Sequence, residues 1–189
     1  MRWLQFFADL ESQADALAAA ELDAEVAERT RIEVSALGLA DRLRAGEGRP
    51  VGVDCGAAGI LHGRLGGGGE DWLLLTDPSG RETVVALGAV QAVSGLLRSS
   101  ATPASAAAAR IGSALGLRHA LRALARDRAA IRLVRIDGTT LAGTVDRVGR
   151  DFLELAEHPL GEPRRPDLVS RVWTVPLAVV ALVRRWGDA

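Results

Sequence analysis

The sequence predicts an α+β protein of two tandem units, each a helical segment followed by a small β-barrel of five short strands. Three observations carry this. An apolar and glycine pattern occurs twice, 80 residues apart. Each occurrence alternates with the period of strands, and the segment before each has helical spacing. The resulting divisions are an N-terminal helical segment (1–48), a first barrel (49–98), a basic linker helix (99–129) and a second barrel (130–189).

The repeat is visible without gaps. Residues 51–76, VGVDCGAAGILHGRLGGGGEDWLLLT, stand over residues 131–156, IRLVRIDGTTLAGTVDRVGRDFLELA. Val51 and Val53 meet Ile131 and Leu133. Leu61, Gly63 and Leu65 meet Leu141, Gly143 and Val145. Asp71-Trp72-Leu73 meets Asp151-Phe152-Leu153. The copies then differ in loop length, DPSGRE (77–82) against EHPLGEPRRPDLVS (157–170), and resume at an offset of 90 as VVALGAVQAV (84–93) and TVPLAVVALV (174–183).

In the second copy Ile131, Leu133 and Ile136 mark a first strand, and Asp137-Gly138 is a two-residue hairpin signal. Leu141, Gly143 and Val145 alternate along a second strand. Gly143, like Gly63, suits a sharp bend where a side chain would obstruct closure. A turn at 147–150 leads to a third strand from Phe152 to Ala156. Trp173–Val175 forms a fourth strand, Pro176-Leu177 a tight turn and Val179–Val183 a fifth. Closing five such strands would remove exposed sheet edges. Before the first barrel, Trp3, Phe7, Leu10, Ala14 and Leu17 share one helical face. That stripe weakens at Glu21, where Glu25–Arg29 and Arg29–Glu33 supply supporting charge pairs. Gly38 and the run Gly46-Glu47-Gly48-Arg49-Pro50 end the helical region. Before the second barrel, the linker SSATPAS (99–105) offers Thr102 as a cap and Pro103 at a first helical position. Gly112 and Gly116 interrupt the helix, and Leu117, Leu121 and Leu124 form its apolar face.

A helix followed by five short strands, with a glycine in the bent second strand, resembles the Sm-like branch of the SH3-like small barrels. The segment IRLVRIDGTTLAGTVDRVGRDFLEL (131–155) carries the resemblance to the first Sm signature. The resemblance implies the barrel fold and a nucleic-acid ligand. The Asn of the uridine pocket has no counterpart in VGRDFLEL, and the Arg-Gly pair of the second signature is replaced by Pro176-Leu177 or Leu87-Gly88. The chain as a whole is similar to actinobacterial proteins, some labelled Fis-type regulators, but it shows no convincing helix-turn-helix pattern.

Composition narrows the function classes. The apolar fraction of 48% supports a core, and aromatics at 4% make that core aliphatic. All 23 basic residues are Arg, which suits planar recognition of phosphate or carboxylate but also follows from GC-rich coding. Charge is unevenly laid out. Residues 1–48 hold 5 Arg against 10 acidic residues, residues 49–98 hold 4 against 5, and residues 99–189 hold 14 against 9. The single cysteine, Cys55, fits a reducing compartment and a buried thiol. Asp9 and Glu11 come too early for a signal peptide, and no apolar run approaches a membrane span. The expected location is therefore the cytoplasm, with no membrane partner.

The sharpest site candidate is SALGLRHALRALARDRAAIRLVR (113–135). Arg118, Arg122 and Arg126 lie four apart and span about 80° of a helix. Arg147 and Arg150 flank the second barrel's turn. Together these five are the expected phosphate contacts of a non-enzymatic nucleic-acid or nucleoprotein-binding protein with a regulatory role. The competing class is a protein-interaction scaffold whose basic helix pairs internally with the acidic N-terminal helix; exposure of the Arg stripe separates the two. Other features read as structural. Gly66–Gly69 lacks the Lys and Ser/Thr of a phosphate loop. His62, His119 and His158 have no metal-ligand spacing. Asp71 and Asp151 recur where a carboxylate can bond backbone N–H groups of a turn. Trp72 and Phe152 read as half-buried packing at strand starts, with base stacking as the alternative. No catalytic residue, cofactor or metal is expected. An RNA, DNA or protein partner is expected, and the oligomeric state stays open.

Overall fold

The computed structural model describes residues 2–96, 115–162 and 164–187. The linker expected at 99–105, with Thr102 and Pro103, and the expected break at Gly112 lie outside the described residues. The chain divides into two compact units, Met1–Gly38 and Leu39–Ala189.

The first unit is one helix, α1 (Arg2–Ser35). It continues past Glu21, where the apolar stripe weakens, because alanine and charge pairs sustain it: Arg29 bonds Glu25 at 2.7 Å and Arg31 bonds Glu28 at 3.1 Å.

The second unit begins with α2 (Leu39–Ala45), which buries Leu43 and ends at Gly46. Five strands follow: β1 (Pro50–Asp54), β2 (Ile60–Gly68), β3 (Trp72–Thr76), β4 (Glu82–Ala86) and β5 (Ala92–Ser94). Helix α3 (Leu117–Arg126) precedes five more: β6 (Ala130–Arg135), β7 (Thr140–Val148), β8 (Phe152–Glu157), β9 (Arg171–Pro176) and β10 (Val180–Arg185). A short 3-10 turn joins the last two strands of each copy, at Leu87–Ala89 and Leu177–Val179. Among the described residues the unit is therefore α+β with ten antiparallel strands, as many as the repeat predicts.

The strands of each copy have the same order, fifth-first-second-third-fourth, and the same register. Val53 pairs with Val93 as Leu133 pairs with Val183. Leu73 pairs with Val85 as Leu153 pairs with Val175. Both second strands shift register at the same point, after Leu65 and after Val145. Gly63 and Gly143 are required near that bend. A Cβ at either position would run into backbone of the next strand, at Thr76 and at Ala156 respectively, and Gly143 also has φ +157°.

Closure is where the expectation fails. No ladder joins the fourth and fifth strands within either copy. Instead β4 pairs with β10, and all ten strands form one sheet in the order β5-β1-β2-β3-β4-β10-β6-β7-β8-β9. The β4 and β10 edge groups that closed barrels would satisfy internally are satisfied across the repeat boundary, and β5 and β9 form the outer edges of the sheet. Alternation places Leu73, Leu75, Val53 and Val85 in one core and Ile131, Leu133, Leu153 and Leu155 in another. The boundary strands serve both: Ala181 and Leu182 of β10 belong to the first core, and Ala86 of β4 to the second. Each fully buried aliphatic side chain contributes about 1.5–3 kcal/mol.

Candidate nucleic-acid interface

Helix α3 is held at both ends, and this fixes which face its arginines present. Leu117 and Leu121 are buried in the second core and Leu124 is packed against it. At the N-terminal end the Leu117 N–H donates to the Asp71 carboxylate at 2.7 Å, and the Trp72 indole N–H donates to the Leu115 carbonyl at 2.6 Å. At the other end Asp127, just past the helix, lies 3.8 Å from Arg185, and Arg128 reaches Asp146 of β7 at 3.3 Å. The recurring Asp71 thus stabilises a backbone N–H of the next copy's helix, rather than one in its own turn.

With the leucines inward, Arg118, Arg122 and Arg126 lie on the outer face, and all three are exposed. Among the described residues none of their guanidinium groups forms an ion pair or hydrogen bond, whereas those of Arg128, Arg164 and Arg147 do. The other two candidates differ. Arg147 bonds Glu154 across the β7–β8 ladder at 2.6 Å while its side chain stays 78% exposed. Arg150 is exposed in the turn after β7. The structure therefore groups Arg118, Arg122 and Arg126, binds Arg147 to a carboxylate, and leaves Arg150 on a separate turn.

Two arginine–aromatic contacts were not anticipated. Arg132 lies over the Trp186 ring at 5.8 Å, and Arg171 over the Trp173 ring at 4.9 Å. The second was legible as an Arg and a Trp two apart on one strand face. The first depends on β6–β10 pairing. The repeat also extends further upstream than the barrels: SALGLADRLRA (35–45) matches SALGLRHALRA (113–123) at eight of eleven positions. That match would have flagged 115–117 as a docking segment.

The remaining candidates keep structural roles. Gly66–Gly68 belong to β2, and Gly69 lies beside Trp72 in the following turn. A shallow cleft opens there, lined by α2, the glycines, Trp72 and Leu87, with Arg44 and Glu47 as its charged residues. Cys55 is buried, and burial together with the Asp54 charge pushes its thiol up, away from the reactive thiolate. His158 is buried between the Thr144 hydroxyl (2.8 Å) and the Pro159 carbonyl (3.0 Å). Among the described residues no three His, Cys, Asp or Glu side chains are grouped to hold a metal ion. No described helix is long and apolar enough to cross a membrane.

Comparison of the chain with family models, curated proteins and solved structures gives no match.

Proposed function

We propose that this is a non-enzymatic nucleic-acid-binding protein with a regulatory role, built from two tandem small-barrel modules of the Sm-like kind, each opened at one edge. The phosphate backbone of the ligand lies along Arg118, Arg122 and Arg126, and Arg147 and Arg150 add contacts at the second module's turn. One observation carries this reading: three exposed guanidinium groups in line on a helix fixed at both ends, none paired with a carboxylate among the described residues. Such a row neutralises phosphates without reading bases, so binding is sequence-tolerant and salt-sensitive.

Fluorescence anisotropy with labelled mixed-sequence RNA and DNA tests it. Binding should weaken with salt, and replacing Arg118, Arg122 and Arg126 by Ala should make the log–log slope shallower by about 2–3. Absence of binding at low ionic strength, or an unchanged slope in the triple variant, overturns the reading.

A second reading is a protein-interaction scaffold, favoured by α1, where Trp3, Phe6, Phe7 and Leu17 are all exposed on an acidic helix. Here the exposed helix engages a protein partner. Co-purification with and without nuclease separates the two: nucleic-acid partners are lost on digestion, and direct protein partners are retained.

A further inference from the structure

Strand β10 brings Arg184 and Arg185 to the joint between the copies, on opposite faces of the sheet. Arg185 reaches Asp127 at 3.8 Å. Arg184 stands between Thr83 of β4 and Arg132 of β6, directly opposite each in the two ladders. Directly opposed residues share a face, so Thr83, Arg184 and Arg132 form one row across three strands. The neighbouring row on that face is Val85, Leu182 and Val134, which packs in and against the first core. The arginine row lies where that core meets solvent: Thr83 is buried, Arg184 half-buried and Arg132 exposed.

Two like charges directly opposite on adjacent strands repel, and a guanidinium cannot shed its proton to relieve this. The chain satisfies the pair only in part. The Arg184 Nε donates to the Thr83 hydroxyl at 2.9 Å. Arg132 lies over the Trp186 ring at 5.8 Å. The hydroxyl thus orients one guanidinium and the indole the other. Among the described residues neither guanidinium is paired with a carboxylate, whereas that of Arg81, two residues before Thr83, is taken by Asp77. The repeat itself does not require arginine here. By the offsets of 80 and 90, Arg132 and Arg184 stand where the first copy has Gly52 and Ser94, also a directly opposed pair. Thr83 stands where the second copy has Trp173. The row of three exists only because β10 is joined to β4.

We propose that this row is a phosphate site separate from the Arg stripe, with the phosphate group held between Arg132 and Arg184. Opposed residues on antiparallel neighbours have Cα atoms about 4.5–5.5 Å apart, so both guanidinium groups reach one tetrahedral anion. A phosphate dianion offsets both charges and accepts from both groups. A carboxylate fills one fork and offsets one charge, leaving the repulsion unrelieved. Thr83 occupies the Arg184 Nε and leaves its terminal nitrogens for the ligand. Trp186, 48% exposed, walls the Arg132 side. The phosphate belongs to a free phosphomonoester or to a nucleic-acid backbone. The site draws residues from both copies and none from Arg118, Arg122 and Arg126, so it stands or falls independently of the stripe.

Calorimetric titration of the full chain with inorganic phosphate tests it, in the wild type and in a variant with Arg118, Arg122 and Arg126 replaced by Ala, which keeps the stripe out of the reading. Saturable binding is expected in both. Arg132→Gln or Arg184→Gln should each weaken it at least about tenfold. In the isotope-labelled wild-type chain, the NMR signals of the Arg132 and Arg184 Nε–H groups should move along the same titration, and not with sodium chloride at matched ionic strength. A mononucleotide that moves these two signals and binds tighter than inorganic phosphate assigns the site to a free phosphomonoester. A single-stranded oligonucleotide without terminal phosphates that moves them, where the mononucleotide does not, assigns it to a backbone. No saturable phosphate binding, unchanged affinity in either glutamine variant, or movement confined to other arginines overturns the proposal. If a glutamine variant fails to fold, the two NMR signals decide the question alone.

Discussion

Asp77 closes the β3–β4 turn with its carboxylate. It accepts from the Ser79 hydroxyl and from the Ser79 and Arg81 backbone N–H groups, and pairs with the Arg81 guanidinium. These bonds, that of the Ser79 hydroxyl foremost, favour the charged form and hold its pKa at about 2. Asp137 does the same for the β6–β7 turn through Thr139, and its pKa is also lowered. A carboxylate lowered on folding adds stability that is present above the unfolded value and lost as pH falls through the folded one. Stability should therefore decline between about pH 4 and pH 2, and carbon-detected NMR titration should place Asp77 at about 2. Glycine makes a second contrast. Gly143→Ala forces a Cβ against Ala156 backbone at φ +157° and should cost more than about 2 kcal/mol. Gly88→Ala meets nothing within 4 Å, and the other copy has Ala178 there; it should be neutral or stabilise by up to about 1 kcal/mol. Urea unfolding of both variants checks the pair. The hairpin signal Asp137-Gly138 was readable as sequence because φ depends on local chemistry, and the bend at Gly143 because a glycine interrupts an alternating strand, although the Ala156 backbone that excludes a side chain there lies on the next strand.

At the scale of elements, α3 shows how a cap from a distant strand orients a candidate site. Its N-terminal N–H groups lack partners in the helix itself, and Asp71 satisfies one of them from 46 residues away. Asp71→Ala should lower stability by about 1 kcal/mol and speed hydrogen exchange at the start of α3. Asp151→Ala, at a residue whose side chain caps no described helix, should do neither. Trp72→Phe removes the bond to Leu115 and should cost about 1 kcal/mol. The strands were legible because side-chain alternation has a period of two, and ten were expected and observed. The leucine face of α3 was legible for the same reason at the helical period. The role of Asp71 was not, because a carboxylate before a strand fits its own turn equally well, and only the docked helix distinguishes the two.

Across the whole molecule, the shared boundary strands make the two copies thermodynamically dependent. Leu182 lies on a second-copy strand yet packs in the first core. Leu182→Ala should cost about 2–5 kcal/mol, and amide exchange in β1–β3 and in β6–β8 should quicken together. A first copy that keeps its protection would show independent folding. The duplication, the strand and helix content, the inward leucines and the Arg stripe all follow from periodicity and composition, which act over a few residues and leave a mark in one dimension. Closure, the β4–β10 joint and the Asp71 cap do not. A strand edge is satisfied equally well by its own copy or by a neighbouring one, since the backbone donors and acceptors are the same in both. The choice between them rests on packing of side chains far apart in the chain, and it was made only when both cores formed around β4 and β10.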